Sequence, residues 1–495
     1  MKFLLSILTG LFSALSLLAA PTLPPAFFAR QSVLNTGNWV KIAVDDTGIY
    51  EVSYQTLKSM GFTDPEKVGV YGRGGKVIPM DFVDWSGKLN VSDDLEPVAV
   101  LHLNDKIYFY AEGVDTQTFN DASALSIKGY YERYSKNIYS HKGYYFLSDV
   151  EPPLLMDVRT IEESAANGTT ATGYGKISHE VDLIHNMSNT GQLYFGEKLT
   201  GDNARIEWPL SLPGCIPYET GVMECSFYLD RDVRGHLSYG VKGMDDNISF
   251  DTKTYASTVM RDQEPRYGEV KVTGESTTLF VEFQTSDDVE IAHLDYWTLT
   301  YPRYLPTLRD GKGNRLNQEF ISFPDIPRNR TWAATFTNAG SMCILDISIP
   351  TRPAVLDGEL RGSNKTVHIT NNTGVAELMV FDPMLPQKQI SGYNTANPFM
   401  SNQNLHALAA DGVDLIIICI PALHDRALRL AAIHEKHEGI KVAVATTEEV
   451  YNEFSQGIPD PMAYRSFVKA AYSSEHPVKN LLLLGPLVAD VRGTP

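Results

Sequence analysis

Cysteine is scarce in this chain, with four in 495 residues. That excludes a disulfide framework as its scaffold, so each folded region must be held by an apolar core. Cys215 and Cys225 are close enough in sequence to bridge neighbouring strands, or to lie there unbridged. Cys343 in "SMCILDISI" and Cys419 in "VDLIIICI" sit in apolar strand contexts and read as small buried hydrophobes. Positive charge is also in deficit. Lys and Arg number 42 against 60 Asp and Glu, a formal net charge of −18. Such a surface repels phosphates, which excludes nucleic acid as a partner; the charge reads as solubility outside the cell. Beyond residue 20 no uncharged run is long enough to cross a bilayer, so no transmembrane helix is expected in the mature chain.

Catalytic signatures are missing too. No Gly-x-Ser-x-Gly elbow occurs. "YGRGGK" (71–76) lacks the phosphate-loop spacing and the hydroxyl residue after its lysine, which leaves a glycine-rich turn. In "HEKHE" (434–438) His434 and His437 are three apart rather than four, and no third ligand is evident. A solvated helix face explains it better than zinc. Cys419 could be paired with His424, His434 or His437. Yet it is set among isoleucines, and the following helix carries those histidines away from the strand end where a reactive thiolate belongs. The acidic runs "VSDDLEP" (91–97), "KGMDDN" (242–247) and "QTSDDVE" (284–290) lack EF-hand spacing and read as polar turns, with calcium use left open. No catalytic or cofactor-binding residue is assigned, no cofactor is expected, and metal ligands remain unknown.

What is present begins with an export signal. Lys2, the apolar stretch "FLLSILTGLFSALSLLAA" and the small pair Ala19-Ala20 predict a signal peptide over 1–20. About 475 residues follow, room for roughly three domains. Residues 32–150 predict a β-rich domain. Its strands include Trp39 to Val44 and Ile49 to Tyr54 around an Asp-Asp-Thr-Gly turn, and Ser53 caps a short helix stopped by Gly61. Residues 175–305 carry strands at the spacing of a β-sandwich, and 316–390 form a further β-rich segment. "EESAANGTTATGYGK" (162–176) reads as a linker.

From residue 411 the pattern changes. "VDLIIICI" is a continuous apolar run, as in a strand covered on both faces. A helix follows with Leu423, Ala427, Leu430 and Ala431 on one stripe and Gly439 as its stop. "IKVAVATT" is a second strand and "EEVYNEFS" a short helix. In "DPMAYRSFVKAAYSS", Asp460 caps a helix that buries Ala463, Phe467, Ala470 and Ala471. "KNLLLLG" is a third strand. This β-α-β-α-β order predicts a parallel sheet with right-handed crossovers.

"IKVAVATTEEVYNEFSQGIPDPMAYRSFVKAAY" followed by "KNLLLLG" resembles the opening of the catalytic domain in gingipain-family cysteine peptidases, and among them the sortases of the type IX secretion system. The signature is Thr446-Thr447, "EEVYNEFSQG", a "DP" that starts a helix bearing Arg465, and the leucine strand. "SVLNTGNWVKIAVDDTGIYEVSYQTLKSMGFTDPEKVGVYGRGG", "KIYFYAEG", "NIYSHKGYYFL", "HLDYWTLTYPR" and "NQNLHAL" (402–408) extend the similarity over nearly all of the mature chain. The resemblance implies a caspase-like α/β domain starting at 411, in which a cysteine attacks a carbonyl and a histidine handles the protons. It also implies a place on the surface or outside of a Gram-negative cell. The partners implied are secreted cargo, whose C-terminal sorting domains are removed, and outer-membrane secretion components.

Two departures stand out. The family's His-Gly and its cysteine lie beyond the third strand and map to no residue here, so the expectation is a truncated, inactive portion. Gly485-Pro486 replaces the family's Gly-Asp, although Asp490 and Arg492 fit the turn that follows. Pro486 supports an alternative, a non-catalytic secretion- or surface-associated interaction protein with β domains. A carbohydrate-binding sandwich would rest only on aromatics such as Trp85 and Tyr194. Three parallel strands alone would leave an apolar edge unpaired.

Overall fold

The computed structural model describes residues 28–81, 83, 92–121, 130–161, 165–182, 194–201, 204–229, 235–251, 266–285, 292–310 and 312–486. The expected signal peptide, Trp85, Asp490, Arg492 and most of the acidic run 284–290 lie outside them. The chain divides into two compact units, one spanning 37–77 and 96–400, the other 28–36, 78–95 and 401–487.

In the larger unit, two four-stranded sheets face each other first. One runs in the order Trp39–Val44, Gly143–Ser148, Gly69–Gly74, Pro97–Val98; the other Lys388–Gln389, Gly48–Ser53, Lys106–Ala111, Val100–Leu103. Val40, Ile42, Tyr50, Val52, Val70, Phe109 and Leu147 fill the space between them. The helix Tyr54–Ser59 starts where expected, with the Ser53 side chain accepting from the Thr56 amide.

The glycine-rich turn holds no phosphate loop. Pairing with Gly143–Ser148 slips between Tyr71 and Gly74, a bulge. Gly74 has φ 76°, and a Cβ there would lie 2.2 Å from the Glu112 carbonyl oxygen, while Lys76 pairs with the Glu112 carboxylate at 2.6 Å. Gly74→Ala is therefore expected to destabilise the larger unit by about 1–3 kcal/mol, read by urea denaturation. A change within about 0.3 kcal/mol would refute the close-approach account.

The rest of this unit is built on a ten-stranded sheet. Its order is Asp157–Arg159, Ala354–Leu356, Cys343–Asp346, Ala376–Phe381, Gln318–Phe323, Thr172–Glu180, Ala292–Tyr304, Thr220–Leu229, Arg266–Lys271, with Lys198–Leu199 also pairing to Ala292–Tyr304. One half packs on the sheet Arg205–Ser211, Ser276–Thr285, Gly235–Val241, Ile248–Asp251 around Met223, Leu237, Val281, Trp297 and Leu299. The other half packs on Gly168–Thr170, Arg330–Phe336, Asn364–Asn371, Glu359–Arg361 around Ile321, Phe336, Ile344 and Val380. The first half is the β-sandwich expected over 175–305, and the second packs two sheets face to face where a further β-rich segment is expected.

The presumed linker is corrected here. Gly168–Thr170 and Thr172–Glu180 are strands, and the second pairs with both Ala292–Tyr304 and Gln318–Phe323. Its small residues answer to packing. A Cβ at Gly173 would sit 2.5 Å from the Ser322 oxygen, and one at Gly175 2.5 Å from the Tyr301 ring. Cys215 and Cys225 are buried free thiols, so no bridge joins them.

The smaller unit is α/β. Leu415–Cys419 pairs in parallel with Val442–Thr446 on one side and Asn480–Leu484 on the other. The helix His424–Glu438 covers one face, setting Ala427 and Ala431 against Leu415, Ile417 and Cys419, and Gly439 at φ 66° ends it. The helices Leu405–Ala410, Thr447–Phe454 and Met462–Tyr472 cover the other face over Ile416, Ile418, Ala443 and Ala445. Among the described residues the leucine strand has one neighbouring strand, Leu415–Cys419. Leu481 and Leu483 are 44% and 54% exposed, in register with the fully covered Ile416 and Ile418.

Candidate functional site

In an open parallel sheet, chemistry gathers at the carboxyl ends of the strands. Here those ends are Cys419, Thr446 and Leu484. Thr446 closes its strand and caps the next helix. Its hydroxyl accepts from the Glu449 amide at 3.2 Å, and Glu449 Oε2 accepts from the Thr446 amide and hydroxyl, each at 2.7 Å. The capping box fixes the helix phase so that Val450, Glu453 and Phe454 all point inward.

Glu453 is fully buried, and its burial is compensated by four donors. Oε1 accepts from Gln403 Nε2 at 2.9 Å and the Leu405 amide at 2.7 Å; Oε2 accepts from the His406 amide at 3.0 Å and lies 2.6 Å from His406 Nδ1. The His406 ring, equally buried, stacks on Phe454 at 4.4 Å, and its Nε2 faces Asp93 Oδ2 at 3.4 Å. Burial alone would push this imidazole down, but the Asp93 and Glu453 carboxylates, with Asp94 near, hold it up to about 10. Burial in turn pushes Asp94 above the ordinary carboxylate range. His406 is therefore a protonated, enclosed cation at neutral pH, unfit as a general base.

The acidic run 91–97, expected as a solvated turn, thus supplies interior anchors. Asp93 accepts from the Ala29 amide at 2.7 Å, and Asp94 from the Ser32 hydroxyl at 3.1 Å and the Val33 amide at 2.7 Å. The signature residues Asp460 and Arg465 serve the same unit. Asp460 accepts from the Met462 amide and the Ile78 amide, each at 2.8 Å, and Arg465 donates to the Met80 carbonyl.

No thiol is poised for attack. Cys419 is 1% exposed in the apolar layer beneath the helix His424–Glu438, and burial raises its pKa. Burial likewise raises Cys215 to about 12 and Cys343 to about 11, and lifts Cys225 well above the ordinary thiol range. A neutral thiol is a poor nucleophile. His434 lies 2.7 Å from Glu438 along its own helix and His437 is exposed, as a solvated face requires. Among the described residues no group of three or more His, Cys, Asp or Glu could hold a metal ion. Asp246 in "KGMDDN" pairs with Lys271 at 2.9 Å. Tyr194 is 7% exposed, which removes it as a surface aromatic.

Residues 409–493 match peptidase family C25. The fold matches the crystal structure of dimeric latent PorU from Porphyromonas gingivalis with a TM-score of 0.78 at 25% identity, over 94% of this chain. The chain spans 43% of the length of that protein. A carbohydrate-binding module of type CBM36, solved with calcium and xylotriose, overlaps 25% of this chain and 98% of its own at 10% identity. Its TM-score of 0.17 gives it no bearing on function. No curated protein sequence matches the chain. The parallel β-α-β-α-β unit starting near residue 411 therefore falls within the stretch that matches peptidase family C25, and it follows β-rich regions whose fold is similar to that of PorU.

Proposed function

We propose that this chain is the N-terminal portion of a gingipain-like cysteine peptidase of the type IX sortase kind, which removes C-terminal sorting domains from secreted cargo. The observation that carries the reading is the coincidence of a family C25 match over 409–493 with a PorU-like fold over 94% of the chain. On this reading the caspase-like domain starts at 411, behind β-rich regions at 32–150, 175–305 and 316–390. The protein is exported through its signal peptide to the surface of a Gram-negative cell, where cargo and outer-membrane secretion components are its partners. No described helix is long and apolar enough to cross a membrane.

The four thiols, three buried and Cys343 half-buried, all with raised pKa, support a further point: the 495-residue chain does not itself cleave peptides. Purified chain incubated with a reporter fused to a C-terminal sorting domain should leave it intact, with or without reductant. Cleavage abolished by iodoacetamide would overturn that. Deleting the gene should leave sorting domains on secreted cargo; unchanged processing would refute the sortase assignment. Exposed Pro486 at the end of the leucine strand favours the second reading, a non-catalytic interaction protein. Recovery of secretion components with the chain while cargo processing is unaffected would select it.

A further inference from the structure

The α/β unit is not closed by residues 401–487 alone. Phe28 enters its core beside Leu405, Val450 and Phe467. Residues 28–34 then cross it with backbone donors directed at the loop that carries Asp93 and Asp94. The Ala29 amide reaches Asp93, the Val33 amide and Ser32 hydroxyl reach Asp94, and the Ser32 amide reaches Asn404 Oδ1 at 3.0 Å. Leu34 is fully buried and its carbonyl accepts from the Gln403 amide at 3.1 Å. Asp93 and Asp94, which receive three of these donors, also carry the charges that act on His406.

We propose that residues 28–34 form a strap fastened to the α/β unit by an ionic clasp centred on His406, and that removing the proton from His406 opens the clasp and frees the strap. The charges facing His406 come from two elements: Glu453 from the helix Thr447–Phe454, and Asp93 and Asp94 from the loop. Arg30 on the strap is exposed. With the imidazolium in place, one cation offsets three clustered carboxylates. Without it the cluster has no cation at its centre, and like charges in a buried site repel strongly. Glu453 keeps its three other donors, so the loop gives way, and with it the acceptors for Ala29, Ser32 and Val33. The sign follows from a raised histidine. Its contribution is complete below the ordinary imidazole value of about 6.5 and is lost as pH rises towards 10.

Hydrogen exchange of the full chain, corrected for intrinsic rates, tests this between pH 6 and 9.5. The Ala29 and Val33 amides should lose at least tenfold protection across that range while Leu415–Cys419 keeps its own. His406→Gln should show the low protection at every pH. Should that variant not fold, Glu453→Gln provides the second arm, in which the midpoint moves to lower pH. Constant protection at Ala29 and Val33 overturns the proposal. So does their loss together with Leu415–Cys419, or an unmoved midpoint in Glu453→Gln.

Discussion

Replacing Glu453 with alanine is expected to destabilise the α/β unit by about 3–5 kcal/mol, the cost of breaking a buried ion pair by removing one partner. Three effects act together. The protonated His406 loses the carboxylate 2.6 Å from Nδ1. The Leu405 and His406 amides, at the start of a short helix, lose their acceptor, and so does Gln403 Nε2. A cavity opens beside Phe454. Exchange of the Leu415–Cys419 amides should accelerate by two to three orders of magnitude, at about 1.4 kcal/mol per factor of ten. Acceleration of less than about fivefold would mean that Glu453 is not the organiser of this interior.

The second large effect lies in the ten-stranded sheet. Arg303 and Glu319 are each 4% exposed at the side chain and pair at 2.5 Å. Arg303 also donates to the Phe320 carbonyl at 3.0 Å, and the Leu308 amide donates to Glu319 Oε2 at 2.6 Å. These strands are not hydrogen-bonded neighbours, since Thr172–Glu180 runs between them. The ion pair therefore ties them across an intervening strand that carries Gly173 and Gly175. Arg303→Ala should cost about 3–5 kcal/mol in urea denaturation, because Glu319 is left buried and uncompensated. Arg303→Met combined with Glu319→Leu should recover most of that loss, since paired apolar groups carry no desolvation penalty. A double variant as unstable as the single one would show that the backbone bonds, not the charges, matter at this position.

Much of the architecture is legible in particular stretches of the chain. "VDLIIICI" became the central parallel strand because an unbroken apolar run satisfies two covered faces. Gly439 stopped its helix in the left-handed region, as a residue without Cβ does at little cost. Ser53 caps as its position suggests, because capping is a matter of a few neighbouring residues. The small polar stretch 162–176 misled for the opposite reason. Its glycines answer to Tyr301 and Ile321, more than a hundred residues away.

The same division runs through the resembling motifs. "NQNLHAL", "EEVYNEFSQG" and "YPR" can be matched as strings, yet nothing local reveals that Gln403, His406, Glu453 and Arg303 are interior. A glutamate on an amphipathic helix ordinarily faces water. Here Gln403, Leu405 and His406, 47 to 50 positions upstream, enclose it, and Asp93 faces His406 from the other side. The sequence by itself determined the element order, the caps and stops, the parallel α/β grammar and the family resemblance, because periodicity and short-range hydrogen bonding specify these. Only the tertiary structure decided that Cys215, Cys225 and Cys419 are buried with raised pKa, and that an acidic turn comes to face His406. Burial and charge pairing depend on which distant segments meet, and that distance sets whether a carboxylate is solvated or must find a cation.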